Sequence, residues 1–218
     1  MIPDNILKIK SELPSAVKLA AVSKFHPAER LMEAYGAGQR IFAESRPQEL
    51  AAKVPLLPSD VEWHFIGHLQ TNKLKLVLPH VALVQSIDSV HLLEAVQKWA
   101  AANGRCISVL LEQHISADET KQGFSEGEIM DLLGRRADFP DIRFRGLMGM
   151  ASLTDDQAVI RSDFARLQAA FHAIRERYPA WEDFTELSIG MSDDWRLAVE
   201  YGSTMVRIGT AIFGPREY

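Results

Sequence analysis

Short apolar, β-prone runs alternate with amphipathic helical stretches along almost the whole chain, the pattern of βα units and a parallel sheet. Eight runs are visible: KLAAVS from Lys18, RIFAES from Arg40, EWHFIG from Glu62, ALVQSID from Ala82, ISVLLEQ from Ile107, RFRGLMGM from Arg143, ELSIG from Glu186 and MVRIGTAIFG from Met205. Most are nearly continuous in apolar character, as strands covered on both faces must be. The gaps carry helix signals. Leu92, Leu93, Val96 and Trp99 recur at helical spacing behind Asp88 or Ser89 as N-cap, with Gly104 as a stop. Ser125 and Glu128 have the spacing of a capping box. The longest helix is expected from about Asp155 to Arg177, where Ile160, Phe164, Leu167, Phe171 and Ile174 mark one face before Pro179. Eight strands in 218 residues make either a closed (β/α)8 barrel or an open doubly wound sheet. The count favours the barrel, which extends down to about 200 residues. The expectation is a single α/β domain over residues 1–218. An extra N-terminal helix over 1–16 plugs or flanks the barrel floor, and a TIM barrel fills 17–216.

Composition narrows the partners. Lys+Arg 24 against Asp+Glu 29 leaves a net charge of −5, which argues against binding a nucleic-acid backbone. No apolar run approaches the roughly 18 residues of a membrane span. The start, MIPDNILKIKSEL, reads as a helix rather than a signal peptide. The single cysteine, Cys106, excludes an internal disulfide framework and a cysteine-based zinc cluster, so a reducing, cytoplasmic setting is expected.

Barrels of this kind place their chemistry at the C-terminal ends of the strands. Lys24 ends LAAVS, a run with no other charge, and so sets an amine at the mouth. Such an amine, if desolvated, attacks a carbonyl to form a Schiff base; the alternative is a lysine that only begins the next loop. The segments after runs seven and eight, SIGMSDD and RIGTAIFG, are rich in Gly, Ser and Thr. Backbone N–H groups at Gly190, Gly209 and Thr210, with hydroxyls on Ser188, Ser192 and Thr210, suit a phosphate cradle. Tight turns and close packing account for the same glycines equally well. Arg207 alternates with Met205 and Gly209 and is read as pointing into the barrel, where it needs partners; an ion pair with Glu44 is one candidate. His64 and His68 have zinc-protease spacing but lack the adjacent Glu and lie on an apparent strand, so no metal site is read there. SIGMSDD lacks the second glycine of a nucleophile elbow, and no dinucleotide-binding glycine pattern follows any strand.

Taken together, AVSK at Ala21 to Lys24, WHFIGHLQTNK at Trp63 to Lys73, SIDS at Ser86 to Ser89, GLMGM at Gly146 to Met150, LSIGMSDD at Leu187 to Asp194 and GSTMVRIGTAIFG at Gly202 to Gly214 closely resemble the pyridoxal phosphate homeostasis protein family. The resemblance implies an alanine racemase-like barrel that binds pyridoxal 5′-phosphate as a covalent imine to Lys24. It also implies phosphate contacts at Ser188, Gly209 and Thr210 with Met191 and Ser192 nearby, and Arg207 against the pyridine nitrogen. Ser45 and His64 complete the expected cofactor-binding set. Two segments depart from the family pattern: FGEN is here Phe42-Ala43-Glu44-Ser45, and QVNIS is Glu112-Gln113-His114-Ile115-Ser116. Alanine racemase takes its opposing base from a second, β-rich domain, for which no residues remain after Tyr218. The expectation is therefore a monomeric carrier that buffers the cofactor or delivers it to PLP-dependent apo-enzymes, with no catalytic residues. A one-base racemase-like enzyme is the alternative, and a Schiff-base aldolase the third reading.

Overall fold

A computed structural model describes residues 1–116 and 122–215; the barrel boundary expected at residue 216 and the chain end at 218 lie outside the described residues. Eight parallel strands close into a barrel in sequential order: β1 (Lys18–Val22), β2 (Ile41–Glu44), β3 (Glu62–Phe65), β4 (Leu83–Ile87), β5 (Ile107–Glu112), β6 (Ile142–Met148), β7 (Glu186–Ser188) and β8 (Met205–Ile208). β8 pairs back onto β1 from Lys18 opposite Met205 to Ala21 opposite Ile208, which rules out the open doubly wound sheet. β7, which begins at Glu186, is only three residues long. The last apolar run is shorter than its sequence suggests, because Thr210–Phe213 forms a helical turn that buries Ile212 and Phe213. A short apolar run does not by itself distinguish strand from helix.

The outer layer consists of α2 (Ala28–Gly36), α3 (Pro47–Lys53), α4 (Leu74–Val77), α5 (Val90–Ala102), α6 (Glu126–Gly134), α7 (Gln157–Arg177), α8 (Trp195–Glu200) and α9 (Thr210–Phe213), preceded by α1 (Ile2–Glu12). The caps follow the sequence. Ser89 Oγ accepts from the Leu92 N–H, and Ser125 and Glu128 bond reciprocally in a capping box. The expected placement of α1 at the floor is corrected: it lies along the wall. Ile2, Ile6 and Ile9, one face at helical spacing, are buried. Asn5 Nδ2 donates to the Ile212 carbonyl at 2.9 Å, Lys10 Nζ to the Gly38 carbonyl at 2.8 Å, and Glu12 pairs with Arg196 of α8. α1 thus takes the place, between α8 and α2, where a full helix after β8 would pack.

Two apolar layers result. The larger lies between sheet and helices; the smaller, inside the barrel, is built from Ala20, Ala43, Leu83, Leu110, Met148 and Met205. This inner plug is thin, with alanine from both β1 and β2. Polar side chains occupy the barrel interior below it, where Lys18, His64, Ser108 and Glu186 border a floor cavity, and above it, where Glu112 and Arg207 stand.

If α1 is part of the core, truncating its central residue opens a cavity. Ile6→Ala is expected to lower stability by about 2–5 kcal/mol, read from urea unfolding followed by circular dichroism.

Candidate functional site

A cavity of about 250 Å³ opens at the C-terminal ends of the strands, close to the lower end of the roughly 300–1,000 Å³ common for small-ligand pockets. Lys24, His26, Met191, Ser192, Asp193, Arg207, Gly209 and Thr210 contribute its polar and loop-borne lining. Val22, Ile66, Met148 and Met150 form an apolar base that continues the inner core.

Lys24 sits on a rigid turn. Ser23 N–H extends the β1–β2 ladder to the Ala43 carbonyl at 3.0 Å, and His26 N–H returns to the Ser23 carbonyl at 3.1 Å. Between them Phe25 adopts φ 68°, a left-handed conformation that costs a non-glycine residue on the order of 1 kcal/mol or more. Three side chains hold it there. Glu49 Oε2 accepts from the Phe25 N–H at 2.9 Å, and Lys53 Nζ reaches the Ser23 carbonyl at 2.9 Å, Glu44 Oε1 at 2.7 Å and Glu49 Oε2 at 3.0 Å. Ser23 Oγ also donates to Glu44 Oε1 at 2.7 Å. Burial raises the Glu44 carboxyl above its usual range, and the Lys53 ammonium opposes that rise. A buried carboxylate is tolerable only with such a partner.

Arg207 enters from β8, the strand paired with β1. It is almost wholly buried, with Nη1 donating to the Ser188 carbonyl at 2.8 Å and to Ser188 Oγ at 2.7 Å, and Nη2 to the Gly149 carbonyl at 2.9 Å. The expected pair with Glu44 does not form, because Glu44 is committed to Lys53 and Ser23. Burial lowers the Arg207 guanidinium to about 10, with Glu112 and Asp194 pulling the other way, and it stays a cation at neutral pH. Glu112, buried at the end of β5, is pushed up to about 7 by burial and then by the Asp88 charge, against the opposing fields of Arg207 and His68.

The loops after β7 and β8 meet beside these groups. The Ala211 N–H donates to Ser192 Oγ at 3.4 Å, and Asp194 Oδ1 accepts from the Met191 N–H at 2.5 Å. Gly190 has φ 97°, and a Cβ there would stand 2.6 Å from the Ala198 Cβ. Its carbonyl accepts from the Arg207 N–H at 2.9 Å, so this glycine serves packing and pairing, and it is absent from the cavity lining.

Lys24, just beyond β1, and Arg207, on the adjoining strand β8, thus line one mouth beside the Gly209–Thr210 turn. The model of the alanine racemase N-terminal domain family matches residues 1–217. The pyridoxal phosphate homeostasis protein of Pasteurella multocida is 39% identical over 207 residues, covering 94% of this chain and 88% of that one. Among solved structures, PipY of Synechococcus elongatus without PLP superimposes with a TM-score of 0.93, and its PLP-bound form with 0.89, at 36% identity and over 98% of this chain and 100% of that one. The chain belongs to the pyridoxal phosphate homeostasis protein family.

Within that family frame, the structure gathers six of the nine residues expected from sequence around the mouth: Lys24, Met191, Ser192, Arg207, Gly209 and Thr210. It does not bring the other three to the cavity surface. Ser188, expected in the phosphate cradle, lies beneath Arg207 with its hydroxyl bonded to Arg207 and Gln85. His64 lies buried in the barrel interior, borders the floor cavity and bonds Glu62 and Gln85. Ser45 follows β2 and is half-buried, its backbone so close to Gly67 that a Cβ on Gly67 would meet the Ser45 carbonyl at 2.2 Å. His68, exposed, bonds Asp88 Oδ2 at 2.9 Å. Among the described residues no group of three or more His, Cys, Asp or Glu could hold a metal ion. Sequence reasoning missed His26 and Asp193 in the lining, and the clamp from Lys53. The signal for Lys53 was a cation on the apolar side of α3, one turn after Glu49.

The displaced Glu112 gives a pH dependence with a definite sign. Its folded value lies above the ordinary 4.5, so its stabilising contribution is full below about 4.5 and is lost as pH rises through about 7. Glu112→Gln is expected to remove that decline and to exceed wild type by up to roughly 3 kcal/mol above pH 8, measured by denaturant unfolding across pH.

Proposed function

We propose that the chain binds pyridoxal 5′-phosphate at this mouth, covalently through Lys24, and serves in its intracellular homeostasis by buffering or delivering it. The observation that carries the reading is the shared cavity of Lys24, Arg207 and the Gly209–Thr210 turn. When bound, the cofactor supplies an aldehyde that condenses reversibly with a primary amine and releases water. The chain's own residues supply the rest. The turn clamped by Glu49 and Lys53 presents the Lys24 amine without a search over loop conformers. Thr210 and the backbone at Gly209 face a phosphate, supported by Ser192, which ties the β7 loop to the start of α9. Met148, Met150 and Ile66 offer an apolar bed for a flat ring.

Arg207 is read as facing the ring nitrogen. A permanent cation there opposes protonation of that nitrogen and so weakens electron withdrawal by the ring, which favours holding the cofactor over turning substrates over with it. The names of the homologues favour the same non-catalytic role. The setting proposed is cytoplasmic, consistent with a free, exposed Cys106, and the recipients are apo-enzymes that need the cofactor. A monomer is the proposed state.

The protein as purified, or after addition of pyridoxal 5′-phosphate, is expected to show visible absorbance that borohydride fixes and Lys24→Ala abolishes. Colourless protein that takes up no cofactor overturns the reading. No racemisation or decarboxylation is expected across a panel of amino acids, and robust turnover lost in Lys24→Ala would replace the carrier with an enzyme.

A further inference from the structure

An unbroken line of hydrogen bonds runs through the inside of the barrel, from the mouth to the floor. It starts at Arg207, whose guanidinium can only donate. Because Arg207 Nη1 donates to Ser188 Oγ at 2.7 Å, the serine turns its own proton to Gln85 Oε1, also at 2.7 Å. That direction orients the amide, so Gln85 Nε2 faces His64 Nδ1 at 2.9 Å and Met205 Sδ at 3.1 Å. His64 Nδ1 then accepts, its ring proton sits on Nε2, and Nε2 donates to Glu62 Oε1 at 2.9 Å. Amide orientation and tautomer follow from the arginine, one step at a time.

Ser188, Gln85 and His64 are buried, while the Glu62 side chain is half exposed at the floor. Charged groups border both ends: Lys18, Arg145 and Glu186 share the floor cavity with His64 and Glu62, and Glu112 and Asp194 act on Arg207 at the mouth. Every residue of β4 is buried, so an apolar side chain at position 85 would satisfy the barrel's packing. A buried amide in such a strand is costly unless both of its ends are bonded, and here both are.

We infer that Gln85 is a positioning residue for Arg207: held by His64, its amide fixes the Ser188 hydroxyl that clasps the guanidinium at the cofactor mouth. The inference rests on the proposed function only for what Arg207 faces. Gln85→Leu keeps the bulk and removes both bonds, whereas Gln85→Glu keeps an acceptor for the Ser188 hydroxyl. In cofactor-free protein, the guanidinium proton resonances of Arg207 are expected to exchange slowly in wild type, to be lost to exchange in Gln85→Leu and to return in Gln85→Glu. With pyridoxal 5′-phosphate added, Gln85→Leu is expected to bind about ten-fold more weakly with a displaced absorbance maximum, and Gln85→Glu to restore both. Ser188→Ala should reproduce Gln85→Leu, with the double variant no worse than either single one, and it carries the test should Gln85→Leu not fold. Unchanged Arg207 resonances in the folded variants overturn the positioning role whatever the cofactor does. Arg207 resonances that respond as expected, in a wild-type protein that takes up no cofactor, support the positioning role and overturn the functional reading instead.

Discussion

Closure of β8 onto β1 is the constraint on which the molecule depends. Once the sheet is a cylinder, alternate residues of every strand must share one narrow interior. The chain fills it with a thin apolar belt rich in alanine and methionine and puts polar groups on either side. Small side chains at Ala20 and Ala43 leave room for the long ones, so that Arg207 can lie inside the barrel and find a hydroxyl and two carbonyls. Without closure, Arg207 and Lys24 would lie on opposite edges of a sheet.

The turn that carries Lys24 rests on a buried ammonium shared by two carboxylates, a group that stabilises only because each charge has a partner at hydrogen-bond distance. The left-handed Phe25, next to Lys24, is held by the same network, since a strained backbone persists only where its surroundings over-determine it. On the adjoining strand the Arg207 guanidinium is paired only with neutral acceptors among the described residues, so its field is not quenched at contact range. Glu112 lies in that field and in the opposing one of Asp88, and burial decides the outcome.

Much of this was legible in the sequence. The eight runs map onto the eight strands, and the Ser89 and Ser125 caps fall where side-chain spacing puts them. Lys24 and Arg207 are legible because a lone charge at the end of, or within, an apolar strand has few places to go. Strand periodicity tells inside from outside but not height along the barrel axis, so it does not reveal that His64 borders the floor cavity. Ser188 was read by residue type, and only the position of Arg207 shows that its hydroxyl is already engaged. Gln85 had a visible signal, one amide in a fully buried strand, yet its partners on β3 and β7 are set by closure and not by neighbours in the chain.

The placement of α1 on the wall has a consequence for how the molecule comes together. It packs against α2 and α9, and its Asn5 holds the carbonyl of Ile212 just beyond the Gly209–Thr210 turn. The two halves of the mouth are therefore assembled from opposite ends of the fold, Lys24 from the earliest strand and Arg207 from the latest. Contacts so distant in sequence carry a loop-closure entropy that must be spent before they form. A nascent chain displays the amine long before the guanidinium and the Gly-Thr turn exist to stand beside it. Completion of the site thus reports that the cylinder has shut.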